Sequence, residues 1–168
     1  MRPLVWVVGI IAIAISMLWI DVPLAQWIHA HETAPMKMLG QWLEEIGKSH
    51  WVLGYCALMI AISWRSMRAR AWDHMRLFAS VAASGIIANI IKVVVCRPRP
   101  PLLLISNITA WDWFAFRTDF LWNSFPSGHA TTGLAIAVSA SLAWPRYRVA
   151  FWTVGIAIAL GRLMVDVH

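Results

Sequence analysis

The chain has 168 residues, of which 60% are hydrophobic and only 13% charged, and its mean hydropathy is +0.66; a water-soluble domain of this size needs more polar surface. The formal charge of +6 is read as membrane flanks and contacts to anionic lipid rather than as a nucleic-acid surface, because basic residues in so apolar a chain usually border membrane spans. Cys56 and Cys96 both lie in apolar runs at no metal-type spacing, so they read as buried thiols and imply neither a disulfide framework nor a zinc site.

The first element is an apolar run from Leu4 to Ile20 behind Met1-Arg2-Pro3. It is long for the core of a signal peptide and no small-x-small cleavage site follows it, so it reads as an uncleaved first span. From Asp21 to His50 the residues Trp27, Ile28, Met38, Leu39, Trp42, Leu43 and Ile46 fall roughly on one apolar helical face, with Pro23 and Pro35 as breaks. Short helices lying in the membrane interface fit that pattern. Further apolar runs cover Trp51 to Trp64, Leu77 to Cys96, Ala130 to Trp144 and Val149 to Leu163, giving five candidate spans. The second and fourth are short for a span and must borrow flanking residues.

Arg2, then Arg65, Arg68, Arg70 and Arg76, then Arg146 and Arg148 all fall on one side of this layout. The positive-inside tendency makes that side cytoplasmic and turns Asp21 to His50, Arg97 to Phe125 and His168 outward, toward a periplasm in a bacterium with an inner membrane. Of the 12 tryptophans, Trp6, Trp19, Trp51, Trp64, Trp122 and Trp144 fall near predicted span ends, where the amphipathic ring prefers the headgroup region. The parse is a single all-α membrane domain over residues 1–168.

Three polar groups at outer span ends need explaining, because ionisable residues in membrane segments are costly. The first is Lys92 through Arg97-Pro98-Arg99-Pro100-Pro101, where the prolines must end the third span and leave Arg99 in a stiff, extended segment. The second is Pro126-Ser127-Gly128-His129, which opens the fourth span. A helix start offers free N–H groups and the positive dipole end to an anion, a glycine lets phosphate oxygens approach the backbone, and a histidine can protonate a leaving oxygen. Ser127 also suits the plainer role of N-cap. The third is Gly161-Arg162 through His168, where the long Arg162 side chain can reach toward the level of His168.

Together these segments resemble the type 2 phosphatidic acid phosphatase family: a lysine, six residues, then Arg-Pro; Pro-Ser-Gly-His; and Ser-Arg, five residues, His. The matching residues are Lys92 with Arg99-Pro100, Pro126 to His129, and Arg162 with His168. The resemblance implies an integral membrane helical bundle of six spans, five of them present here. It implies that His168 attacks phosphorus to form a phosphohistidine and that His129 protonates the leaving group. Lys92, Arg99, Ser127, Gly128 and Arg162 would hold the phosphate oxygens, with no metal and no cofactor. Charge supplied by fixed cations is what phosphoryl transfer needs most.

Two departures from the pattern stand out. Gly161 takes the place of the usual serine, and the chain stops at His168, where the family continues through His-x-x-x-Asp into a sixth span. The reading is therefore of a chain without its last span, and Asp166 cannot replace the missing aspartate because residues two apart on a helix point in different directions.

The expected partner is a membrane lipid carrying a phosphate or diphosphate, with undecaprenyl diphosphate ahead of phosphatidylglycerol phosphate, phosphatidate and lipid A phosphate. The aromatic segment Trp111 to Trp122 is read as an interfacial anchor or as the mouth through which a lipid tail reaches the site, with Arg117 available to a second phosphate or headgroup. The rival reading is a lipid-phosphate binding or transport protein that uses the cations without the histidines.

Overall fold

The computed structural model describes residues 7–9, 11, 15, 19, 21–31, 33–99, 102 and 111–164. Most of the first predicted span, Leu4 to Ile20, lies outside these residues, as does His168.

Helix boundaries follow local chemistry. Helix α1 is Asp21–Ala30 and α2 is Ala34–Ile46. Pro23 and Pro35, expected as breaks, sit in the first turns of these two helices, where a missing N–H leaves no intrahelical bond unmade. Helix α3, Ser49–Ser63, follows α2 after Gly47 and Lys48, and α4 spans Arg68–Val95. Cys96 ends α4 in the left-handed conformation (φ 43°, ψ 56°) and donates its N–H to the Lys92 carbonyl, two residues ahead of Pro98. Helix α5, Gly128–Ala143, starts at the N-cap Ser127, whose hydroxyl accepts a hydrogen bond from Ala130 N–H at 3.4 Å. A 3-10 turn at Pro145–Tyr147 leads into α6, Arg148–Gly161. The span predicted to run to Leu163 stays α-helical only to Gly161 and tightens into a 3-10 turn over Arg162–Met164.

No strand occurs among the described residues, and the fold class is all-α. Each of the four apolar runs predicted after the first falls on a helix. Two stretches, Ala34–Ser63 and Arg68–Val95, are long and apolar enough to cross a membrane.

Helix α3 packs on α4, α4 on α5, α5 on α6, and α2 against α6. One buried cluster joins Cys56 of α3 to Leu77 and Val81 of α4, with Ala135, Ile136 and Trp144 packed against it. Where α5 crosses α6, a β-carbon on Gly133 would lie 2.7 Å from the Gly155 carbonyl oxygen, and one on Gly155 would lie 2.8 Å from Ala137 Cβ. Such stripes of small residues let helix backbones touch, which matters most where the surroundings are as apolar as the side chains and burial alone gives no drive to associate.

The apolar side chains largely point outward. On α4, Ile86, Ile87 and Ile90 are exposed, while Gly85, Ala88, Asn89 and Lys92, spaced to share one face, line an open cavity. On α2, Met38, Leu39, Trp42 and Ile46 are exposed, Trp42 by 62%, and the face turned to α6 carries Gly40, Leu43, Glu44 and Gly47. A helix whose apolar stripe points away from its own bundle suits an apolar exterior.

Candidate active site

The end of α4, the start of α5 and the end of α6 meet around one cavity of about 350 Å³. Lys92, on the last turn of α4, lines it together with Arg99, Gly128, His129 and Arg162. A β-carbon at Gly128 would lie 3.7 Å from Lys92 Nζ, so the ammonium stands beside the first residue of α5. The N–H groups of Gly128 and His129 precede the first backbone bond of that helix, Thr131 N–H to Ser127 carbonyl, and the Ser127 cap takes only Ala130 N–H. Six of the seven residues singled out from the sequence are thus located; the seventh, His168, is outside the described residues. Ser127 sits at the helix start with its hydroxyl turned to Ala130 N–H, in the capping role.

Arg99 is held by the segment that precedes α5. Its N–H donates to the Leu121 carbonyl at 2.8 Å, and Ser124 N–H donates to the Arg97 carbonyl at 3.2 Å, which ties residues 97–99 alongside 121–124. The guanidinium is 5% exposed, donates from Nη2 to the Asn123 carbonyl at 3.3 Å, and lies 3.6 Å from the centroid of the Phe120 ring. Burial lowers its pKa to about 10; Arg162 pushes the same way and Glu44 opposes. Arg99 therefore stays protonated at neutral pH, and a further anion in the cavity would stabilise that charge.

Arg162 is 4% exposed and its Nη1 pairs with Glu44 Oε1 at 2.6 Å. Its Nε is buried with no hydrogen-bond partner among the described residues, and the same holds for His129 Nε2. Lys92, Arg99 and Arg162 bring three positive charges to one open cavity beside the His129 imidazole, an arrangement that can attract a small anion.

Sequence reasoning did not find Glu44. Leu43 packs on Gly161, where a β-carbon would lie 2.6 Å from Leu43 Cβ, and a β-carbon on Gly47 would lie 3.3 Å from His129 Cδ2. Those two contacts bracket Glu44 and carry its carboxylate to the cavity wall. The legible signal was its place on α2, one residue past Leu43 and one helical turn past Gly40, on the face that bears the small residues. Asn89 of α4 also lines the cavity and was not singled out.

The aromatic segment is fixed to the end of α4. Phe114 N–H donates to the Val94 carbonyl at 2.7 Å, Asp112 N–H to the Cys96 carbonyl at 3.3 Å, and Arg117 N–H to Cys96 Sγ at 3.3 Å. Arg117, considered from sequence as a contact for a second phosphate, pairs with Asp112 at 2.6 Å and lies over the Trp122 ring at 4.5 Å. Trp113, Phe114, Phe116 and Phe120 are exposed, and Phe120 lines the cavity.

Residues 73–168, more than half of the chain, match the model of the PAP2 superfamily, and they carry all seven candidate site residues. The chain belongs to the PAP2 superfamily. Two lipid A 1-phosphatases, from Rhizobium etli and Rhizobium johnstonii, are each 33% identical to it over 184 residues; the alignments cover 100% of this chain and 77% and 73% of the relatives. No solved structure matches it significantly. The segment that supplies Leu43, Glu44 and Gly47 lies ahead of the PAP2 match, although the alignments to both relatives include it.

Proposed function

We propose that this chain, a PAP2 phosphatase acting on lipid phosphates, removes phosphate from a membrane glycolipid of the lipid A class at the outer face of the inner membrane, through a phosphohistidine. The observation that carries the reading is the convergence of Lys92, Arg99, Arg162 and His129 on one cavity, at the helix start that carries Gly128. The names of the two relatives move the substrate from undecaprenyl diphosphate toward lipid A.

In this mechanism a ring nitrogen of His168 forms a bond to phosphorus as the bond from phosphorus to the lipid oxygen breaks. His129 gives its proton to that departing oxygen. Lys92, Arg99 and Arg162 neutralise the charge on the equatorial oxygens, and the first N–H groups of α5 add donors. Water then breaks the phosphorus–nitrogen bond, with His129 taking a proton from it, and inorganic phosphate leaves. All the charge the reaction needs is on side chains, so metal plays no part.

The test is inorganic phosphate release by the purified protein from lipid A, undecaprenyl diphosphate and phosphatidate in mixed micelles, with and without EDTA. Release that is greatest from lipid A and unchanged by EDTA is expected. Restoration by magnesium of activity lost to EDTA would refute the mechanism. Tight binding of these lipids without release would favour the transport reading instead.

A further inference from the structure

We infer that Glu44 is a positioning residue of the phosphate cavity: it competes with bound phosphate for Arg162 and so limits how tightly the site holds its anionic product. The inference rests on the phosphate reading above.

The Glu44 carboxylate reaches Arg162 Nη1 at 2.6 Å and lines the same cavity as Lys92, Arg99 and His129. It cannot swing away with its helix. Leu43 is pressed on Gly161 just before it, and Gly47 is pressed on Ile158 and His129 one turn after it. The arginine is almost fully buried, and a buried guanidinium without a counter-charge is strongly destabilising, so Glu44 stabilises the site when it is empty. The 2.6 Å contact at Nη1 is an ion pair; neither Nη1 nor Nε makes a hydrogen bond among the described residues, so both keep donor capacity for a phosphate oxygen.

The arithmetic of charge then gives Glu44 its effect on turnover. Lys92, Arg99 and Arg162 together attract inorganic phosphate as well as they attract substrate, and a site that binds product too firmly turns over slowly. One carboxylate on the cavity wall opposes every anion there, screened by the water that the open cavity admits. Lys48, the other cation on the wall, is paired with Glu45 and does not cancel it. A residue that served only to hold α2 in place would have the opposite signature, since losing it would disorder Arg162 and weaken phosphate binding.

The experiment is direct binding of inorganic phosphate to the purified full chain, followed by phosphorus NMR titration, beside product inhibition of lipid hydrolysis. Glu44→Gln keeps the shape and an acceptor oxygen but removes the charge. It should bind phosphate roughly tenfold more tightly, the effect of deleting one unit charge a few ångströms from the anion, with a lower kcat and stronger product inhibition. Glu44→Asp keeps the charge but withdraws it from Arg162, and should tighten phosphate by a smaller factor. Unchanged or weaker phosphate binding in either folded variant overturns the inference; if Glu44→Gln does not fold, Glu44→Asp decides alone. If neither variant folds, Glu44 is a structural strut and the inference fails. Absence of phosphate binding in the unsubstituted protein would instead remove the phosphate site itself, and this inference with it.

Discussion

Leu43 and Gly161 meet so closely that a β-carbon on Gly161 would lie 2.6 Å from Leu43 Cβ and 2.9 Å from Leu43 Cδ1. The glycine that stands where the family pattern has serine is thus the residue that lets α2 seat on the end of α6. Gly161→Ser should force the two helices apart and lower stability by about 1–3 kcal/mol, the usual cost of overpacking. Shortening Leu43 to Ala leaves its Cβ in place and should not rescue the variant. Thermal unfolding in detergent measures both. A Gly161→Ser protein as stable as the unsubstituted chain would show that α2 yields at no cost.

Phe120 covers the Arg99 guanidinium at 3.6 Å. Replacing it by Ala removes a cation–π contact worth about 0.5–2 kcal/mol and opens the guanidinium to solvent. The expected result is a several-fold rise in KM with a smaller fall in kcat, and Phe120→Trp should retain most activity. Equal losses in Phe120→Ala and Phe120→Trp would mean that the ring acts by shape alone.

Arg99 has a pKa lowered to about 10, by burial first and by Arg162 second. For a base, a lowered pKa means the charged form is disfavoured in the empty cavity, and a bound anion raises it again. Phosphate binding should therefore be independent of this group near neutral pH, weaken as pH rises through about 10, and be accompanied there by proton uptake. Titration of phosphate affinity from about pH 8 to about pH 11 should show this fall, and Arg99→Gln should lower affinity at every pH and leave a shallower fall, the remainder belonging to the Lys92 ammonium on the same cavity wall. A fall of undiminished size in Arg99→Gln would assign it to Lys92 alone.

His168 and His129 should fail in different ways. His168→Ala should yield no acid-labile phosphoenzyme on rapid quenching. His129→Ala should slow lipid hydrolysis by about 10²–10⁴-fold but affect an activated aryl phosphate much less, because that leaving group needs little protonation. Equal losses across a leaving-group series for His129→Ala would contradict its assignment as the acid.

Much of this site is written in local patterns. Pro98 and Pro100 require α4 to stop near Lys92, and Pro126-Ser127 suits a helix start at Gly128, so these residues can be placed at helix ends without coordinates. Glu44 is different. Its partner Arg162 lies at the other end of the chain, and their meeting depends on how α2 docks on α6, which no local spacing encodes. Leu43 hid this further: the sequence places it on the apolar face with Met38, Leu39, Trp42 and Ile46, whereas those four turn outward and Leu43 packs on Gly161 beside the carboxylate. The partners of Arg117, Asp112 and Trp122, are close in sequence, but only the folded loop brings all three together.

The close crossing at Gly133 and Gly155 acts as a fulcrum. His129 stands one turn from it on α5 and Arg162 about two turns from it on α6, lever arms of roughly 6 and 10 Å. A tilt of about 10° at the pivot would move each tip by roughly 1–2 Å, and misplacement of a reacting group by about 1 Å is enough to cost two orders of magnitude in rate. Catalytic alignment is thereby leveraged from two residues that have no side chain at all, deep among the helices and out of reach of any substrate.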